Sequence, residues 1–114
     1  MRPDDRIRIQ HMVEAADAVG QVINGRVRRD VDSDLTLRLA LVRAIEILGE
    51  AASRVSTQTR TALPLIPWAA IVGMRNRLSH AYFDVDYDIV WQTATIEIPR
   101  ILPRLREALQ DADL

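Results

Sequence analysis

The chain has 114 residues (12.9 kDa), with 48% hydrophobic and 27% charged residues and no cysteine. That length and balance fit one small globular domain, residues 1–114, and they exclude a disordered chain, a disulfide scaffold and thiolate metal sites. Fifteen basic residues, all arginine, stand against sixteen acidic ones; the formal net charge is −1, so a polyanionic partner needs a local patch rather than an overall field.

Arginine suits bidentate phosphate contacts, although genome base composition is the simpler account of an all-arginine set. Aromatic residues, at 4%, are too few for a platform that stacks single-stranded bases. No apolar run approaches the ~20 residues that cross a bilayer. The opening MRPDDRIRIQ is charged and lacks an apolar signal segment, so a cytoplasmic protein with no membrane contact is expected.

Helical periodicity runs through almost the whole chain. Over residues 4–23, Ile9, Met12, Val13, Ala16, Val19 and Ile23 recur at steps of three and four, and Asn24-Gly25 then provides a stop. A second helix starts near Asp32-Ser33-Asp34, a run of capping residues, with Leu37, Leu41, Ile45, Leu48, Ala52 and Val55 on one stripe. Leu35, Leu39, Val42 and Ile47 lie off that stripe, which predicts a helix that is either central or shared between a core and a partner subunit. STQTRTALPLIP at 56–67 breaks the pattern. Pro67 then suits the first turn of a third helix with Trp68, Ile71, Val72 and Leu78 inward. FDVDYD at 83–88 reads as a turn, with Asp84 or Asp86 capping a last helix that carries Ile89, Val90, Thr93, Ile96, Ile101, Leu102, Leu105 and Leu109. Pro99 and Pro103 fall inside that helix and predict a kink or break. The expected fold is all-α, an up-and-down bundle of four to five helices, with dimerisation a ready means of covering apolar surface.

The chemistry concentrates in RNRLSHAY at 75–82. At about 100° per residue, positions 75, 79 and 82 share a helical face, whereas His80 stands about 140° from Arg75. A single straight helix therefore cannot aim Arg75 and His80 at one small target. The helix can end near His80, His80 can serve another neighbour, or a second copy can complete the site across a two-fold axis. A histidine titrating near neutrality can exchange a proton with substrate, and a guanidinium can stabilise a phosphorane. Together they suit cleavage of RNA without a metal, with the ribose 2′-hydroxyl attacking the adjacent phosphorus. Tyr82 can hydrogen-bond phosphate, and Asn76 can orient the histidine or touch the backbone. The competing account is a helix end whose arginine and histidine bind carbonyls and the dipole.

RNRLSHAY, read as R-x4-H-x-Y, resembles the signature of HepT-like toxins, a branch of the HEPN superfamily. AIEILGEAA at 44–52 and PWAAIVGMRNRLSHAYFDVDYDIVW at 67–91 extend the resemblance over most of the chain. It implies a HEPN-like helical bundle, a homodimer with the motif lining a cleft between subunits, and a ribonuclease that needs neither metal nor cofactor and acts on cellular RNA such as tRNA. It implies that Arg75 and His80 are catalytic, with Asn76 and Tyr82 supporting. The implied partner is an MntA-type nucleotidyltransferase antitoxin of a type VII toxin–antitoxin system, which transfers AMP to Tyr82 and forms a hetero-oligomer with the toxin. AMP adds bulk and negative charge, which suits an off-switch beside an arginine.

Other polar residues carry plainer expectations. His11, off its apolar stripe, is a surface residue. Glu50 suggests a salt bridge to an arginine of the motif helix. Asp84, Asp86 and Asp88 suit capping better than Mg²⁺. Arg26, Arg28 and Arg29 read as a solvated loop that could otherwise extend an RNA track. Arg100, Arg104 and Arg106 suit the end of a helix, and Trp68 and Trp91 suit core or interface anchors. Two rival functions stand beside the ribonuclease: a non-catalytic module that binds a nucleotide or partner, and a protein that is chiefly the substrate and assembly partner of the nucleotidyltransferase.

Overall fold

A computed structural model describes residues 1–79 and 85–111, and for 75–79 and 111 the backbone only. The described residues form an all-helical bundle: α1 (Pro3–Ile23), α2 (Arg28–Ser33), α3 (Leu35–Ser53), α4 (Thr57–Ala62), α5 (Trp68–Ser79), α6 (Tyr87–Gln92), a π-helical turn (Thr93–Glu97) and α7 (Ile98–Asp111). No strand occurs among them.

α3 is the centre. Asp34 caps it by accepting the Leu37 N–H at 3.1 Å. Its predicted stripe is buried in full: Leu37, Leu41, Ile45, Leu48 and Ala52, with Val55 just beyond the helix end. α1 and α5 both pack on α3, and α7 packs on α1. α1 contributes Ile9, Met12, Ala16 and Val19 to the same cluster, and α7 contributes Ile101 and Leu105. α1 opens with Pro3 and carries Asp4 and Asp5 in its first turn, where acidic side chains complement the helix dipole. It stops at Asn24-Gly25, as expected. Gly25 has φ 74°, a conformation that costs glycine little, while Asn24 stays at φ −59°.

Two short helices were not visible in the periodicity. α2 covers much of the stretch read as a solvated basic loop, and α4 lies within the segment read as a pattern break. Six residues span fewer than two turns, too few to display a period and too few to be stable alone. Local caps hold them instead: the Asp30 carboxylate accepts the Val27 N–H at 2.8 Å, and Ser56 Oγ accepts the Thr59 N–H.

Asp5 ties α1 to the start of α4. The residue is 3% exposed, and its carboxylate accepts the Ser56 N–H at 2.9 Å and the Ser56 and Thr59 hydroxyls at 2.6 Å each. Burial pushes the carboxyl upward in pKa. The two hydroxyls, the amide and the nearby charge of Arg2 outweigh it and hold the group below its ordinary value.

The last helical stretch breaks as its prolines predict. Asp86 caps α6, accepting the N–H groups of Asp88 at 2.9 Å and Ile89 at 3.4 Å. The π turn follows, with the Ile98 N–H bonded to the Thr93 carbonyl, and α7 then runs through Pro103. Pro99 has no N–H to offer to the preceding turn, and the widened turn stands directly before it. No helix among the described residues is long and apolar enough to cross a membrane.

Candidate active site

α5 is anchored at its start and along its inner side. The Trp68 indole donates Nε1–H to the Leu63 carbonyl at 3.0 Å, and the Ile71 N–H bonds to the Pro67 carbonyl at 3.1 Å. Trp68, Ile71 and Met74 are buried. Arg75 and Asn76 follow Met74 on continuous helical backbone, with Ser79 one turn beyond Arg75. The side chains of Arg75, Asn76 and Leu78 lie outside the described residues, as do His80, Tyr82 and Asp84 in full. Six residue steps separate Ser79 from Val85. Covalent reach therefore keeps the end of α5 within about 20 Å of the chain that enters α6.

That downstream flank is firmly built. Arg28 of α2 donates Nε–H to Asp88 of α6 at 2.7 Å and Nη1–H to Asp32 at 3.0 Å. Both carboxylates raise the pKa of its guanidinium above the ordinary value, with the Asp32 hydrogen bond the stronger influence. Arg38 of α3 donates to the carbonyls of Val31 and Asp32 at 2.8 Å each, and its guanidinium carbon stands 5.8 Å from the centre of the Tyr87 ring. The basic run is thus largely engaged: Arg28 as described, and Arg26 with Asp34 at 3.3 Å.

Of the acidic run, Asp86 caps α6 and Asp88 pairs with Arg28. Among the described residues, no group of three or more histidine, aspartate or glutamate side chains is arranged to hold a metal ion. Glu50 pairs with Arg54, the residue just past the end of α3, at 3.1 Å. The motif-helix arginines expected as its partners have side chains outside the described residues, and Arg54 stands four positions away, within reach of an i,i+4 pair. His11 is exposed, as expected, and lines a depression of 210 Å³ with Arg8, Glu50 and Arg54. Arg106 pairs with Asp17, Arg104 donates to the Leu65 carbonyl, and Arg100 lies 3.8 Å from Glu97. Trp68 is a core anchor, and Trp91 packs partly buried against the core.

Sequence reasoning missed Asp5, Arg38 and the Arg28–Asp88 pair. Only the Arg28–Asp32 spacing of four carried a local signal; Asp88 lies 60 positions from Arg28, a separation that no periodicity encodes.

The sequence model of the Ribonuclease HepT-like family matches residues 12–109, a span that includes the whole R-x4-H-x-Y motif. A protein of Caldanaerobacter subterraneus subsp. tengcongensis named "Putative RNase TTE0752" is 34% identical over 102 residues, 90% of this chain and 91% of its own. One from Thermococcus cleftensis named "Probable ribonuclease HepT" is 30% identical over 89% of this chain and 92% of its own. A Methanocaldococcus jannaschii protein named "Putative RNase MJ1216" is 39% identical over 68% of this chain and 64% of its own. No solved structure gives a significant match. With its helical architecture and a family match covering nearly all of its length, the chain belongs to the HepT-like ribonucleases of the HEPN superfamily.

Proposed function

We propose that this chain is a metal-independent endoribonuclease, the toxin of a two-component system, with Arg75 and His80 as its catalytic pair. The observation that carries this reading is the family match over 12–109, which encloses Arg75, His80 and Tyr82 in the R-x4-H-x-Y order. His80 accepts the proton of a ribose 2′-hydroxyl as that oxygen attacks the adjacent phosphorus. Arg75 stabilises the added negative charge, and the 5′-oxygen of the next nucleotide leaves with a proton returned from the site. The products are a 2′,3′-cyclic phosphate and a 5′-hydroxyl. Asn76 and Tyr82 support the pair by orienting it and binding phosphate. Residues 1–114 act as one domain, in the cytoplasm, and two copies form a homodimer around the cleft.

The control element in this reading is Tyr82. A nucleotidyltransferase antitoxin of the MntA type transfers AMP to its hydroxyl and forms a complex with the toxin. The phosphodiester places negative charge where substrate phosphate must bind.

The test is cleavage of total RNA and of tRNA in the presence of EDTA. The parent cleaves, His80→Ala loses at least about 100-fold, in the range by which a general base accelerates a reaction, and RNA with a 2′-deoxy sugar at the cut position is inert. His80→Ala cleaving as fast as the parent removes the catalytic assignment. Incubation with the nucleotidyltransferase and ATP adds one AMP to the intact mass, and Tyr82→Phe abolishes the addition. One observation favours the non-catalytic module as a second reading: Arg26 and Arg28 are engaged by carboxylates, which leaves two of the three arginines of the basic run committed rather than open to phosphate. A parent that cleaves neither total RNA nor tRNA in EDTA is the outcome that selects it.

A further inference from the structure

We propose that Arg28 is a positioning residue of the ribonuclease site, acting through Asp88 to hold the first turn of α6, to which the motif is covalently joined. The inference rests on the ribonuclease reading above. α6 is six residues long, too short to hold its own position. It enters the core through Val90; Asp86 caps its first turn, and side chains from α2 and α3 reach that turn as well. Arg28 reaches Asp88 from α2, and Arg38 of α3 faces Tyr87 while it also binds the two carbonyls near the end of α2. α2 in turn packs on both α3 and α6.

The consequence is a common reference frame. Upstream of the motif, α5 is seated on α3 through its buried inner side; downstream, α6 is referred to α3 through Arg38 and to α2 through Arg28. His80 and Tyr82 lie between these two anchors in sequence. A reacting group displaced by about 1 Å can lose about 100-fold in rate, so the downstream anchor matters for catalysis well beyond its share of stability.

Arg28 is poorly suited to a direct role in binding RNA. Its Nε and Nη1 edges are both committed to carboxylates, and its side chain is only 32% exposed. Asp88 is 82% exposed, and a pair so open to solvent adds little to global stability. The two roles predict opposite behaviour for Asp88. If Arg28 gripped phosphate, removing Asp88 would free it and strengthen RNA binding; if the pair is a clamp, removing either partner weakens the same step.

The experiment compares parent, Arg28→Ala, Arg28→Lys, Asp88→Ala and the Arg28→Ala/Asp88→Ala double variant, with Arg43→Ala as a control that removes an exposed ion pair on α3. The clamp predicts kcat about tenfold lower in each alanine single variant with KM within about twofold, the signature of lost positioning rather than lost binding. The double variant is no slower than the slower single one, because both changes remove one interaction. Arg28→Lys is intermediate, since an ammonium cannot span both carboxylates as the fork does. Amide exchange at residues 86–90 accelerates in the three alanine variants and is unchanged in Arg43→Ala. Unchanged exchange, or Asp88→Ala with parental kcat, overturns the clamp while leaving the ribonuclease reading intact. A raised KM in Arg28→Ala with tighter RNA binding in Asp88→Ala makes Arg28 an RNA contact instead. A parent that cleaves no RNA overturns the ribonuclease reading itself, and the positioning role with it.

Discussion

Asp5 is the residue whose environment departs furthest from its sequence context. Beside Asp4 in a first helical turn it reads as a dipole partner, yet its carboxylate is buried under the Ser56 amide and two hydroxyls from positions 51 and 54 residues away. Its folded pKa lies below the ordinary value of 3.8, so its contribution is fully present above that value and is lost as pH falls through the depressed folded value. Urea midpoints measured from pH 7 down to pH 3 should therefore fall more steeply at the acid end for the parent than for Asp5→Asn. At pH 7, Asp5→Ala should cost about 1–3 kcal/mol, because it strands buried hydroxyls without an acceptor. The motif residues behave oppositely. Arg75, His80 and Tyr82 were recognisable because their order and spacing, R-x4-H-x-Y, match a family signature. Asp5, Arg28 and Arg38 were not, because their meaning lies in partners that only folding delivers.

At the scale of elements, long periodic helices were legible and short ones were not. α1 and α3 each repeat their apolar pattern over five or more turns, so the stripe through Leu37, Leu41, Ile45, Leu48 and Ala52 could be named residue by residue. α2 and α4 depend on single caps and on the surfaces they meet. The capping residue of α6 was legible in part: Asp84 and Asp86 were equal candidates in the sequence, and Asp86 performs that role. Asp86→Ala should lower stability by about 1 kcal/mol in chemical denaturation. Gly25→Ala should cost a similar amount, about 1 kcal/mol, since φ 74° is unfavourable for any residue with a Cβ. Leu41→Ala, in the fully buried stripe of α3, should cost about 2–5 kcal/mol and lower the thermal midpoint accordingly.

At the scale of the molecule, the principal extents are 46 × 29 × 19 Å, the smallest close to two helix diameters. A slab of that thickness leaves the central helix partly uncovered: Leu35, Leu39 and Ile47 of α3 are 59%, 46% and 38% exposed. The wide apolar arc read in the sequence is therefore real, with its inner part in the core and its outer part at the surface. The proposed homodimer should appear in light scattering as twice the chain mass of 12.9 kDa. A single-chain mass at working concentration would instead leave a bend after α5, or His80 serving another neighbour, as the readings of the motif. With a net charge of −1 and much of the basic run engaged, RNA affinity should depend only weakly on salt. A log–log slope shallower than about −2 is expected for contacts to two or three phosphates of a single strand.

The sequence by itself determined the helical class, the central stripe, the breaks at Gly25 and around Pro99, and the motif with its family. Each is local or periodic information, carried by backbone preference, hydrophobic spacing or a short motif. Only the tertiary structure decided that a buried carboxylate joins α1 to α4, and that Arg28 of a short helix grips the start of α6. Those outcomes depend on which surfaces meet when the apolar stripes are buried together. Pairings across 50 or 60 residues are consequences of packing, and no spacing in the chain writes them down in advance.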